Sequence, residues 1–176
     1  MHSAQRIIQN AYVVDDLDAA IARWHAVFGI GPFFVRRHLQ LAEVLYRGRP
    51  TRLDFSAAYV QAGPVMVELV QQHDAVPSAF RDMFAPGQQG FHHVAVVPSD
   101  YQALLAHYET LGCDVAMELR TSSGRGAAYV DTRGLIGHMT EVYLPTEGLS
   151  AVYQEVALAA ARWDGRQIVI EVDAGR

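Results

Sequence analysis

The sequence predicts an α+β fold of two tandem βαβββ modules with an extra C-terminal helix, and three observations predict it. First, Gln9-Asn10-Ala11-Tyr12-Val13-Val14 leads into an Ala-rich helical pattern ending at Gly29, and His93-Val94-Ala95-Val96-Val97 leads into a matching one ending at Gly112. The strand starts lie 84 residues apart and the glycines 83, so the register of a duplicated unit holds to within one residue. Second, strand-like and helix-like periods follow in the same order in both halves. Third, each half closes with an apolar strand carrying one carboxylate: Glu68 in Val65-Met66-Val67-Glu68-Leu69-Val70, and Glu141 in Met139-Thr140-Glu141-Val142-Tyr143.

Residues 7 to 14 are rich in Ile, Val and Tyr and read as a strand, after which Asp15-Asp16-Leu17-Asp18 offers helix N-caps. Leu17, Ala20, Ile21, Trp24, Val27 and Phe28 recur at helical spacing, and Gly29-Ile30-Gly31-Pro32 stops the helix. Strands are expected at Phe33 to Arg37, Leu53 to Gln61 and Val65 to Gln71, the last two joined by the tight turn Ala62-Gly63-Pro64. The second half repeats the order: a strand from Phe91 to Val97, a helix from Asp100 to Leu111, then strands at Asp114 to Leu119, Gly126 to Asp131 and His138 to Leu144. The expected boundaries are 1–72 for the first module, 73–90 for a linker with one helical turn near Ser78 to Met83, and 91–146 for the second module. Residues 147–176 are an extension with a helix from Leu149 to Trp163 and a short strand from Gln167 to Val172. Its Val152, Val156, Leu158 and Trp163 need burial against the body or against another subunit.

Composition narrows the function. In 176 residues, 51% hydrophobic and 19% charged, the chain matches a soluble globular protein with a sizeable core. No apolar run reaches the length of a membrane span, and the N-terminus lacks the order of a signal peptide, so a cytoplasmic protein is expected. The single cysteine, Cys113, has no internal disulfide partner and sits at a helix-to-strand turn, where it reads as a small packing residue. A net charge of −5 argues against a nucleic-acid partner. Arg47, Arg49 and Arg52 either meet an anionic group of a substrate or form a solvated loop or strand edge.

The chemistry lies in four residues at repeat-equivalent places. Strand parity sends Val65, Val67 and Leu69 one way and Met66, Glu68 and Val70 the other. A carboxylate in such apolar company requires a partner that offsets its desolvation. Glu141 repeats the situation between Met139 and Tyr143, while Gln9 and His93 open equivalent strands; parity with Gln9 selects His93 over its neighbour His92. A divalent ion held by Gln9, Glu68, His93 and Glu141 would be balanced in charge and would keep positions for water or substrate. His73 and His138 read as turn residues, and His25 and His107 as helix residues on solvent faces.

As an ordered set, Gln9 to Asp18, Gly63 to Val70, Gly90 to Ala95 and Gly137 to Tyr143 resemble the vicinal oxygen chelate superfamily, specifically its glyoxalase I and methylmalonyl-CoA epimerase-like members. The resemblance covers roughly residues 7 to 145. It implies curved sheets that close into a cleft around one metal ion, with Gln9, Glu68, His93 and Glu141 as ligands and Zn, Ni, Co, Mn or Mg as the ion. The implied chemistry is non-redox proton transfer beside a carbonyl (isomerisation, epimerisation or a lyase step), with Glu141 as base and Glu68 as its partner on the opposite face. Met66, Val70, Met139 and Tyr143 would line the substrate site, suiting a small hydrophobic or acyl compound, and a homodimer is the expected assembly. Epimerases of the family place a further acid near the strand before Glu68; this chain has Thr51 and Asp54 there. Two alternatives within the superfamily are a metal-free small-molecule-binding protein of the resistance type and an extradiol-type dioxygenase. The latter uses two histidines and one carboxylate, where this set has one histidine.

Overall fold

In the computed structural model, which describes residues 4–173, the first half runs β1 (Ile7–Val13), α1 (Leu17–Phe28), β2 (Phe33–Arg36), β3 (Leu41–Tyr46), β4 (Arg49–Pro50), β5 (Phe55–Ala62) and β6 (Val65–Gln72). The second runs β7 (Gly90–Val96), α2 (Tyr101–Thr110), β8 (Val115–Thr121), β9 (Gly126–Val130), α3 (Arg133–Ile136) and β10 (Met139–Tyr143), followed by α4 (Glu147–Ala161) and β11 (Val169–Glu171). Among the described residues no helix is long and apolar enough to cross a membrane.

The corresponding helices of the two halves, α1 and α2, both start on an aspartate. The Asp16 side chain accepts from Ala19 N–H and Asp100 from Ala103 N–H, each at 2.9 Å, satisfying an otherwise orphaned backbone donor. α1 ends at Gly29 in the left-handed conformation, as a helix C-terminus favours. Leu17, Ala20 and Ile21 bury its inner face against Leu69, Val67 and Ala58 of the sheet. The apolar stripe expected along α1 continues to Trp24, which packs on the same cluster, and stops before Val27 and Phe28, which are 72% and 62% exposed.

All strands join one sheet in the order β11-β2-β5-β6-β1-β7-β10-β9-β8-β3-β4. β1 and β7 pair antiparallel at the centre, and each is flanked by a parallel partner, β6 and β10. The sheet cannot be flat. β2 and β3 have seven strands between them in the sheet, about 38 Å at ~4.8 Å per strand spacing. Residues 37–40 connect them in the chain and span at most roughly 18 Å. The sheet therefore rolls up until its two ends meet, giving an interior and an exterior face.

The β3–β4 hairpin was not foreseen from the sequence. Arg47 and Gly48 both take positive φ, 46° and 73°, the two-residue turn that suits strand twist. Its tip is fastened: Arg47 contacts Asp82 at 2.7 Å and Asp131 at 3.4 Å, and the Tyr46 hydroxyl donates to Asp82 at 2.6 Å. Arg47 is thus a structural clasp rather than an anion receptor. Arg133 of α3, a second unforeseen element, pairs with Asp131 at 2.7 Å.

Residues 78–84 make the expected helical turn, with Asp82 N–H donating to the Ser78 carbonyl and Phe84 N–H to the Phe80 carbonyl, each at 3.0 Å, and the turn drives Phe80 into the lower end of the barrel. There its ring meets Phe55, His92 and Tyr129. At the other end α4, capped by the Thr146 side chain, lays buried Val156 on Phe34 and Met66. Trp163 follows and packs so closely on Gly31 that a Cβ there would lie 2.6 Å from its ring. The His25 ring also meets Trp163 at a steep angle, 5.6 Å between ring centroids, so His25 is half-buried rather than on a solvent face. Leu158 departs from its expected burial and is exposed.

Two predictions follow from these contacts. Phe80→Ala should cost about 3–5 kcal/mol of stability in urea denaturation, because the barrel cannot collapse around the void. Arg133, hydrogen-bonded to Asp131, holds its carboxyl down at about 2, below the usual 3.8. Its stabilisation is complete above about pH 4 and is lost as pH falls through 2. The acid-side decline in the urea midpoint should be shallower in Asp131→Asn than in the wild type, and identical curves would refute the clasp.

Candidate metal centre

The two central strands carry matched β-bulges. Opposite Ile7 and Gln9 of β1 stand the adjacent residues Val96 and Ala95 of β7, leaving Ile8 as the extra residue. Opposite the adjacent residues Ala11 and Tyr12 of β1 stand His93 and Phe91, leaving His92 extra. Each bulge falls immediately before one predicted ligand, Gln9 or His93, and a bulge re-aims the side chains around it. Both side chains turn into the barrel and are 0% exposed. The bulge also defeats simple alternation at His92, which parity would send outward and which is fully buried beside His93.

The four side chains converge. His93 Nε2 lies 3.1 Å from Glu141 Oε2 and 3.4 Å from Glu68 Oε2, and Gln9 Nε2 donates to the same Glu68 oxygen at 2.6 Å. Glu68 and Glu141 are each 2% exposed. Burial pushes the Glu68 carboxyl up, an effect opposed by its hydrogen bond to His93 and reinforced by the charge of Glu141. For His93, burial works against the charged form, but the hydrogen bonds and charges of Glu141 and Glu68 prevail and raise it to about 9. His92, buried and next to His93, is driven down to about 3.

Two tyrosines complete the cluster, and the sequence reading missed them. Tyr59 stands opposite Glu68 across β5–β6, and Tyr129 opposite Glu141 across β9–β10, so each phenol lies beside a carboxylate whose charge helps to keep it protonated. A signal was available, because Ala57-Ala58-Tyr59-Val60 recurs as Ala127-Ala128-Tyr129-Val130. Burial holds both phenols well above their ordinary range, so they remain donors. A third, Tyr153 of α4, donates to Gln9 Oε1.

A cavity opens above this cluster. Of the residues expected to bind substrate, Met66 and Tyr143 line it, together with Tyr59, Leu149, Val152 and Tyr153, and with Arg36 and Arg125. Val70 and Met139 do not line it; they lie in the core cluster with Phe80, below the carboxylates. Asp54 is at the surface, paired with His38 at 2.7 Å.

The donor set fits a divalent cation. One imidazole nitrogen, two carboxylates and an amide oxygen are mostly hard donors, and two negative charges balance the ion. An amide presents either end by a half turn, and the Tyr153 hydroxyl accepts as well as donates, so Gln9 suits the role of an oxygen ligand. Among the described residues, His38, Asp54 and His73 form a second group of possible ligands. There the two rings stack at 4.4 Å, which aims their in-plane lone pairs along similar planes rather than at one point. Their nitrogens are also engaged by Asp54 and Ser56.

A rolled sheet of two repeated modules is the architecture that comparison with known proteins identifies. The family model described as the Glyoxalase/Bleomycin resistance protein/Dioxygenase superfamily matches residues 8–129, and the chain belongs to that superfamily, the vicinal oxygen chelate proteins. Methylmalonyl-CoA epimerase from Mycobacterium tuberculosis is similar with a TM-score of 0.52 at 18% identity, over 82% of this chain and 91% of that one. A variant of Streptomyces coelicolor methylmalonyl-CoA epimerase, in complex with 2-nitronate-propionyl-CoA, gives 0.55 at 18%, over 82% and 97%. A hypothetical protein from Bacillus halodurans C-125 gives 0.56 at 12%, over 82% and 97%. These likenesses establish the fold. Comparison with curated protein sequences returns no match.

The cluster leads to a direct expectation. Purified protein dialysed against Zn or Ni should retain one ion per chain by elemental analysis, and His93→Ala should retain none. Free ion at a hundred times its Kd should add about 2.7 kcal/mol to stability, reversed by a chelator. Full retention by the His93→Ala protein would remove His93 from the ligand set.

Proposed function

We propose that this protein is a divalent-metal-dependent enzyme of the glyoxalase and epimerase type. It catalyses a non-redox proton transfer, as an isomerisation, epimerisation or lyase step, beside a carbonyl of a small hydrophobic or acyl substrate. The observation that carries this reading is the convergence of Gln9, Glu68, His93 and Glu141, nearly inaccessible to solvent, at the floor of a tyrosine-lined cavity. Bound by these four residues, Zn, Ni, Co, Mn or Mg supplies a Lewis acid for the negative charge that develops on neighbouring substrate oxygens.

The protein's own residues do the rest. Glu141 is assigned as the base. A carboxylate has two oxygens, so one stays in the cluster while the other takes a proton from the substrate carbon. Glu68 faces it across His93, with both carboxylates within 3.4 Å of the same ring nitrogen, which suits it to hold or return a proton on the other side. Gln9 and His93 hold the two carboxylates in place, with the phenols of Tyr59 and Tyr129 beside them, so little reorganisation is needed at the moment of transfer. Tyr143, Tyr153, Met66 and Leu149 give an apolar wall that limits water and favours an apolar acyl group. Acyl-CoA compounds occupy two of the similar folds, which supports an acyl substrate.

The test is exchange of the substrate's α-hydrogen. Methylmalonyl-CoA and other acyl compounds with an acidic α-hydrogen are incubated with metal-loaded protein in heavy water and read by mass spectrometry. Glu141→Gln should slow deuterium uptake by about 10²–10⁴-fold while retaining weakened metal binding, since an amide offers an oxygen but accepts no proton. Wild-type rates in this variant would reject Glu141 as the base.

With one imidazole in the set, the cluster differs from the two-histidine, one-carboxylate triad of iron oxygenases. Iron-loaded protein should therefore consume no oxygen during turnover, and sustained consumption at an electrode would overturn the non-redox assignment.

A further inference from the structure

His92 takes no part in the chemistry above, yet it is fully buried and lies against the imidazole of His93. Its two nitrogens make two contacts, and their directions can be assigned. His92 Nε2 lies 2.9 Å from the carbonyl oxygen of Ala79, which has no hydrogen to give, so His92 Nε2 carries one. His92 Nδ1 lies 2.8 Å from His93 Nδ1, and two N–H groups cannot face each other at that distance, so one of the two nitrogens is bare. A proton on both nitrogens of His92 would bury a cation among the rings of Phe80, Phe84 and Tyr129. The carboxylates stand on the far side of His93 instead. His92 Nδ1 is therefore the bare atom and the acceptor, and His93 Nδ1 carries the hydrogen.

We infer that His92 is a positioning residue, which accepts from His93 Nδ1–H and passes the constraint to the Ala79 carbonyl, so that His93 Nε2 is the nitrogen turned to the metal centre. The inference rests on the metal reading of that centre. It also gives the 73–90 segment a role. Phe80 anchors the segment in the barrel, next to Ala79, whose carbonyl is the fixed end of a two-ring relay. A ligating imidazole needs this partner on its other nitrogen. Without it the ring can turn or exchange tautomers, and loss of such partners elsewhere weakens metal binding by roughly 10–100-fold.

The experiment uses the full chain labelled with ¹⁵N-histidine and loaded with Zn. The expected spectrum shows His92 protonated on Nε2 alone, His93 protonated on Nδ1, and a nitrogen–nitrogen coupling across the hydrogen bond between the two Nδ1 atoms. Zn competition titrations then compare three proteins. His92→Phe, which keeps the bulk and removes the acceptor, should bind Zn about 10–100-fold more weakly. His92→Asn, whose Oδ1 can occupy the acceptor position, should recover part of the loss. A His92 that carries its hydrogen on Nδ1, or a folded His92→Phe with wild-type Zn affinity, overturns the inference and leaves the metal reading intact. If His92→Phe fails to fold by circular dichroism, the wild-type spectrum decides. No uptake of Zn by the wild type overturns the metal reading, and this inference with it.

Discussion

The structure depends on keeping two carboxylates out of water. Isolated in an apolar interior, Glu68 and Glu141 would each cost several kcal/mol of lost hydration, so every nearby element supplies a compensating group. Tyr59 and Tyr129 stand opposite them on the adjacent strands, and the His93 ring lies between them within 3.4 Å of both. Gln9 closes the ring from the opposite central strand. A flat sheet could not bring these four strands' side chains to one point. Rolling the sheet, forced by the short connection from β2 to β3, makes the convergence possible.

The duplicated part builds the walls and the non-duplicated part closes the ends. Below the centre, the inter-module segment inserts Phe80 and offers the Ala79 carbonyl to His92. Above it, α4 places Val156 on Met66 and Tyr153 on Gln9. One of these segments thus touches His93 through His92 and the other touches Gln9 directly. Symmetry sets where Gln9, Glu68, His93 and Glu141 stand, and the asymmetric additions supply further contacts to two of them.

Much of this was legible in the chain because duplication is a strong signal. The 84-residue offset aligned Gln9 with His93, and parity around Glu68 separated Met66 and Val70 from the α1 side of the sheet correctly. Parity gave orientation but not depth, so Val70 and Met139 were grouped with the substrate wall although they lie a layer lower, beside Phe80. The β3–β4 hairpin escaped because its residues, Leu41 to Pro50, mix apolar and basic types around Arg47, a residue that seldom takes positive φ. The bulge at His92 cannot be seen in one strand alone, since it exists only relative to the partner's register. Tyr153 contacts Gln9 from 144 residues away, a separation that no local pattern encodes.

The two ends of the sheet carry a consequence for how one copy of this chain could meet another. At one end the sheet stops in β4, two residues long and including Pro50, and at the other in β11, three residues long. Such stubs leave almost no ladder of open backbone groups for a neighbouring molecule to extend, and proline lacks the hydrogen that pairing requires. Crowding in a cell therefore threatens this protein little through strand-to-strand stacking. A second copy would have to recognise side chains, and Val27 and Phe28 at the bare end of α1 are the most exposed of the large apolar ones among the described residues.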